Sequence, residues 1–232
     1  MRYRTVVTAA IVLAAARAEA QYPRQSERLA MVDLIAARGV HDAATLAAMR
    51  SVPRHEFVPP NYRAQAYGDH PLPIGHGQTI SQPYIVAYMT EILRPRPGMR
   101  VLEVGTGSGY QAAVLGELGA EVYTVEIFEA LATSADQRLE RLGHETVTVR
   151  HADGNHGWPE FAPFDAIIVT AAGGHIPPAL VEQLNPGGRM VIPVGSVWGV
   201  QNLILVEKDL TGDVRTRNLL PVRFVPMLSE LR

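Results

Sequence analysis

The chain has 232 residues, with 47% hydrophobic and 19% charged side chains, ordinary proportions for a globular α/β domain with a full core. Its formal net charge of −2 supplies no global basic field, which argues against nucleic acid or an anionic membrane as partner. It contains no cysteine, which excludes disulfides, a thiolate nucleophile and a zinc–thiolate site.

The N-terminus departs from this pattern. Arg2 and Arg4 precede an uncharged run from Thr5 to Ala16, and Ala18-Glu19-Ala20 has the small-x-small form of a cleavage site. This is the three-part layout of a secretory signal; the run is too short to span a bilayer. Residues 1–20 are therefore expected to be removed after Ala20, leaving a periplasmic or secreted protein with no stable membrane association. The alternative is an alanine-rich N-terminal helix on a cytoplasmic protein.

Residues 21–232 are expected to form one domain. From Ser26 the pattern is helical, with Leu29, Val32, Ile35 and Ala36 on one face and Gly39 as a stop. Asp42 can cap a second helix through Met49. Pro53, Pro59 and Pro60 then break the chain. Residues 67–82 form a long Gly-, Pro- and His-rich loop, and loops of that length in compact domains are usually functional. Pro83 opens a third helix with Ile85, Tyr88, Met89 and Ile92 on one face. Residues 26–98 read as a helical cover carrying a substrate loop.

Alternation begins at residue 99. Strands are expected at 100–104, 121–125, 146–150, 165–170, 189–194, 201–207 and 221–226. Helices are expected at 110–118, 128–142 and 178–184. Ala166-Ile167-Ile168-Val169 is apolar on both faces, as in a buried parallel strand. The alternation predicts a Rossmann-like, doubly wound α/β sheet, with ligands beyond the C-terminal ends of the strands.

The first strand runs into Val104-Gly105-Thr106-Gly107-Ser108-Gly109-Tyr110. Its G-x-G-x-G spacing is neither the dinucleotide fingerprint G-x-G-x-x-G nor a phosphate loop, which needs Gly-Lys-Ser/Thr. It points to the S-adenosylmethionine (SAM) version of the fold. Glu126 ends the second strand 21 residues after Gly105 (126 − 105), a distance that suits hydrogen bonds to ribose hydroxyls. Asp153 and Gly154 follow the third strand, where an aspartate can meet the adenine amino group. His151, Asp153 and His156 lack firm metal-site spacing and a fourth ligand, so no metal is expected.

The chain resembles the protein-L-isoaspartate (D-aspartate) O-methyltransferase family. The resemblance rests on Val52–Pro59, on Pro71–Pro83 with its Thr79-Ile80-Ser81 segment, and on Leu102–Leu115. It continues through Ala162–Asp165 into Ile168–Ala172, and from Gly187 to Gly195. It implies SAM as methyl donor and isoaspartyl residues of damaged proteins or peptides as acceptors. By family pattern Ser81 is the active-site residue. Glu103, Gly105, Thr106, Gly107, Gly109, Glu126, Asp153 and Gly154 would hold the cofactor, and Thr79, Ile80 and Val194 would meet the substrate. Ala152 stands where the family usually has glycine, which is harmless only if its φ is negative. Ser81 is also placed to cap the helix opened by Pro83, and Trp198 either packs on substrate or belongs to the core. A SAM-dependent enzyme acting on another carboxylate, and a binding module without turnover, are the competing readings.

Overall fold

The computed structural model describes residues 24–196 and 198–229. The expected signal at 1–20 lies outside them.

The N-terminal cover contains α1 (Gln25–Ala37), α2 (Ala43–Ser51) and α3 (Pro83–Leu93), with two short 3-10 turns at Arg54–Phe57 and Pro60–Gln65. The inner face of α1 is Arg28, Met31, Val32 and Ile35. Leu29 points outward instead, 38% exposed. Asp42 caps α2 as expected, accepting the Thr45 N–H at 2.7 Å. Helix α3 buries Val86, Ala87, Met89, Thr90 and Leu93, while Ile85, Tyr88 and Ile92 are half-buried against the sheet-side core. It is therefore buried on more than the one face expected, because it is packed between cover and sheet.

The stretch 67–82 is not a plain loop. Strands β1 (Leu72–Gly75) and β2 (Gln78–Ile80) pair antiparallel, with Leu72 opposite Ile80. Three consecutive positive φ values, at Gly75, His76 and Gly77, make the turn. Strands this short carry too little periodicity to read from sequence.

The main sheet comprises β3 (Arg100–Val104), β4 (Glu121–Glu126), β5 (Val147–His151), β6 (Phe164–Val169), β7 (Leu184–Val194), β8 (Gln201–Lys208) and β9 (Val214–Val222). Their order is β5-β4-β3-β6-β7-β8-β9, with β8 antiparallel to both neighbours. Helices α4 (Tyr110–Glu117), α5 (Glu129–Arg141) and α6 (Pro178–Glu182) complete the alternation. Along β3, Val101 packs into the core on one face and Leu102 into the core on the other. This double burial explains the unbroken apolar runs of β3 and β6. A third core joins the cover to α4 and α5 through Ile35, Met49, Phe57, Tyr110, Ala113 and Leu139.

The C-terminal end differs from expectation. Strand β9 covers 214–222, not 221–226. Its first residues are exposed at a sheet edge, so Val214-Arg215-Thr216-Arg217-Asn218 carries no apolar signal. After Val222 the chain leaves the sheet and crosses to Ala172, which donates to the Val225 carbonyl and accepts from the Met227 N–H, both at 2.8 Å.

Candidate active site

The chain winds outward from β3 to β5 and then crosses back to β6. The C-terminal ends of β3 and β6 therefore border the topological switch point, where open α/β sheets bind ligands. A cleft of about 750 Å³, counting its open mouth, lies there.

The turn after β3 forms its floor. Gly105 has φ 99°, and a Cβ on it would collide with Thr170 Oγ1, so only glycine fits. The Thr170 hydroxyl donates to the Gly105 carbonyl at 2.6 Å, tying the β3 turn to the end of β6. Glu126, at the end of β4, holds the same turn from the other side. Its Oε2 accepts the Gly107 N–H at 2.7 Å and its Oε1 the Phe128 N–H at 3.1 Å. Each carboxylate oxygen retains a second lone pair for a ligand hydroxyl.

Glu103 is fully buried and lines the cleft. Its Oε2 accepts from the Thr124 hydroxyl at 2.6 Å. Its Oε1 has no hydrogen-bond partner. Burial raises its carboxyl to about 8, against the opposing effect of the Thr124 bond and with the nearby Glu126 charge adding to the rise. A buried acceptor without a donor is costly, and it fits a ligand that brings a donor, above all a cationic one.

Thr79, Ile80, Ser81, Glu103, Gly105, Thr106, Gly107, Glu126 and Gly154 all line this one cleft. Three expected residues do not. Gly109 lies behind the turn as the N-cap of α4, at φ 88° and packed against Leu139. The Asp153 carboxylate turns back on its own loop, accepting from the Asn155 N–H at 2.8 Å and the Asn155 side chain at 2.9 Å. Val194, the last residue of β7, instead bridges to Gly173. Ala152 fits the loop after β5 without strain: among the described residues, positive φ outside glycine occurs only at Arg24, His76 and Arg94. Gly154 beside it cannot be replaced so easily, because a Cβ there would collide with Val104. Among the described residues no cluster of His, Asp or Glu has the form of a metal site.

A second groove opens alongside, lined by Pro71, Gln82, Ile85, Val200 and the 221–225 segment. Thr79, Ser81, Thr170 and Val225 line both spaces. Ser81 thus stands on the partition. It does not cap α3: the N-cap is Gln82, without a side-chain capping bond, and Asp69 accepts the Tyr84 N–H at 2.9 Å instead. Trp198 is 94% exposed, which removes it from the core.

The strap Val225-Pro226-Met227-Leu228 completes the cleft, held by Ala172 and by Asn155, whose side-chain amide donates to the Leu228 carbonyl at 3.1 Å. Sequence reasoning missed this role, since the strap carries no charged or nucleophilic side chain. It also missed Thr170, whose only sequence signal is its place at the end of a buried strand.

This sheet, with a glycine turn, an acidic residue ending the next strand and a cleft at the switch point, defines a Rossmann-like methyltransferase of the SAM-dependent class. Residues 25–232 match the model of the family described as Protein-L-isoaspartate(D-aspartate) O-methyltransferase (PCMT). The chain belongs to that family. It is 60% identical over 189 residues to Protein-L-isoaspartate O-methyltransferase 2 of Polaromonas sp., covering 82% of this chain and 90% of the relative. It is 59% identical over 204 residues to the protein of the same name from Syntrophobacter fumaroxidans, covering 88% and 80%. A solved protein-L-isoaspartate O-methyltransferase superposes with TM-score 0.81 at 32% identity, over 88% of this chain and 67% of that one. A second, from Plasmodium falciparum in complex with S-adenosyl-L-homocysteine, shares the fold with TM-score 0.75 at 24% identity, over 87% and 98%.

Proposed function

We infer that the chain transfers a methyl group from SAM to the free carboxylate of L-isoaspartyl residues in damaged proteins and peptides, initiating their repair. The observation that carries this reading is the partition: one cleft suited to a cofactor and one open groove meet at Ser81, Thr79 and Thr170.

The cleft residues suit SAM by their chemistry. Glu126 offers acceptors to the ribose hydroxyls, and the unpartnered Glu103 Oε1 offers one to the ammonium group. The glycine turn allows close backbone approach. Gly154 leaves room on the adenine side, and Asp153 supports that loop from behind. SAM, when bound, supplies a methyl group already activated by its sulfonium.

The chain's own task is then alignment. An exposed carboxylate is ionised at neutral pH, so no general base is needed. Among the described residues the Ser81 hydroxyl makes no hydrogen bond to the protein. It is free to donate to one acceptor oxygen and to aim the other across the partition. Such positioning contributes roughly 7–11 kcal/mol to barrier lowering in favourable cases. The product ester is attacked by the following backbone nitrogen, which expels methanol and closes a succinimide. Hydrolysis of that ring returns part of the chain to normal aspartate. The acceptor is read through its backbone, along the groove beside Thr79, Gln82 and the 221–225 segment, because damage sites differ in sequence.

Methyl transfer from SAM to matched peptides containing isoaspartate or aspartate tests the reading. Transfer to the isoaspartyl peptide alone supports it; SAM binding with transfer to neither peptide sinks it.

Residues 1–20 support export as a proposal of their own. Fusing them to a reporter active only outside the cytosol is expected to give signal, and a cytosolic, uncleaved fusion would refute export. No described helix is long and apolar enough to cross a membrane.

A further inference from the structure

Arg54 opens the 3-10 turn that follows α2, and its side chain is 0% exposed. Its Nε–H donates to the Ala66 carbonyl at 2.8 Å, and its Nη2–H donates to the Ser81 carbonyl at 2.8 Å. The guanidinium carbon lies 4.9 Å from the ring centroid of Tyr110, which lines the cofactor cleft. Nη1 has no hydrogen-bond partner. Among the described residues no carboxylate forms an ion pair with Arg54.

This is an expensive arrangement. A buried cation without an ion-pair partner loses its hydration; burial lowers the guanidinium to about 10, offset in part by Tyr110 and by the Asp69 charge beyond ion-pair distance, and it stays charged at neutral pH. An apolar side chain of similar length would fill the space without that penalty. The guanidinium adds a planar fork of donors in fixed directions. The two carbonyls it takes are the two ends of one excursion: residues 67–80, including the β1–β2 hairpin, leave the cover at Ala66 and return to it at Ser81. Arg54 closes the base of that excursion. Asp69, within the excursion, provides a second tie by accepting from the Gln82 side chain at 3.0 Å and from Tyr84 N–H at 2.9 Å.

We propose that Arg54 is a positioning residue for methyl transfer, clamping the ends of the 66–81 excursion so that the Ser81 hydroxyl stands on the partition between cofactor cleft and acceptor groove. The proposal rests on the functional reading above and adds to it a residue that touches neither substrate nor cofactor. Lysine at this position keeps the charge but lacks the fork that reaches both carbonyls.

The test combines Arg54→Lys, Arg54→Met and Ser81→Ala, with kcat, KM for an isoaspartyl peptide, SAM affinity and backbone hydrogen exchange as readouts. Arg54→Lys is expected to lower kcat about tenfold or more, since misplacement by an ångström is enough for such losses. SAM affinity is expected to stay within about threefold, because Arg54 does not itself line the SAM cleft and reaches it only through Tyr110 and Ser81. In a Ser81→Ala background the same change is expected to lower kcat by less than about twofold, there being no hydroxyl left to misplace. Amides 79–82 are expected to exchange faster in Arg54→Lys and Arg54→Met, with β3 and β4 unchanged. Equal losses with and without Ser81, or an active Arg54→Lys with unchanged exchange at 79–82, would overturn the proposal while leaving the functional reading intact. A wild-type protein that binds SAM but methylates no isoaspartyl peptide would overturn both.

Discussion

Glu126 Oε2 accepts the backbone N–H of Gly107 at 2.7 Å, so one carboxylate at the end of β4 fixes the glycine turn that begins at the end of β3. Replacing it with glutamine presents an amide that can satisfy only one of the two backbone donors, Gly107 or Phe128. A bond to a charged acceptor is worth ~1.5–3 kcal/mol. Glu126→Gln is therefore expected to weaken SAM binding by about 10- to 100-fold, read by calorimetric titration. Unchanged affinity would remove Glu126 from the cofactor site.

The glycines of the turn are not equivalent. At Gly105 a side chain meets Thr170 Oγ1 and strains φ at 99°. At Gly107, with φ 54°, a Cβ meets only Ile74 Cδ1 at 3.2 Å. Gly105→Ala is expected to lower Tm by roughly 5–10 °C, and Gly107→Ala by about half as much. Adding Thr170→Ala to Gly105→Ala removes the collision but not the strain, so the paired loss is expected to be smaller than the sum. Differential scanning calorimetry of the variants decides it; equal losses at both glycines would contradict the collision.

Ser81→Ala removes a hydroxyl that makes no hydrogen bond to the other described residues. Its fold and SAM affinity are expected to persist, while kcat falls about 10- to 100-fold through lost alignment. Stopped assays at saturating SAM separate the two effects. A large loss of SAM binding would instead place Ser81 in the cofactor site.

Legibility in the sequence followed burial. Strands β3 and β6 are buried on both faces and read as apolar runs; the turn after β3 announced itself through glycine spacing, and Glu126 through its distance from that turn. Features set by tertiary contacts stayed hidden. The first half of β9 is an exposed edge, and Leu29 points outward because Arg28 takes its place on the inner face of α1. The strap at 225–228 acts through backbone bonds to Ala172, which no side-chain pattern encodes. Arg54 was the hardest to see, since an arginine among prolines gives no sign that it will be wholly buried.

Glu103 makes both stability and SAM binding depend on pH. Its carboxyl stands at about 8 in the folded protein against an ordinary 4.5. The folded state therefore holds the proton more tightly than the unfolded state. The stability this contributes is full below pH 4.5 and is lost as pH rises towards 8. A cationic ammonium beside the unpartnered Oε1 reverses the preference and favours the carboxylate. SAM binding below pH 8 is then expected to release a proton, and affinity to rise with pH from 6 towards about 8. Beyond that the α-amino group of SAM itself deprotonates, in the ~7.7–8.0 range, and affinity is expected to fall. Titrations in buffers of different ionisation enthalpy measure the released proton directly. Glu103→Gln is expected to abolish the release and to flatten the rise, with weaker binding throughout. A wild-type affinity constant from pH 6 to 8, with no proton exchanged, would show that Glu103 does not face the ammonium.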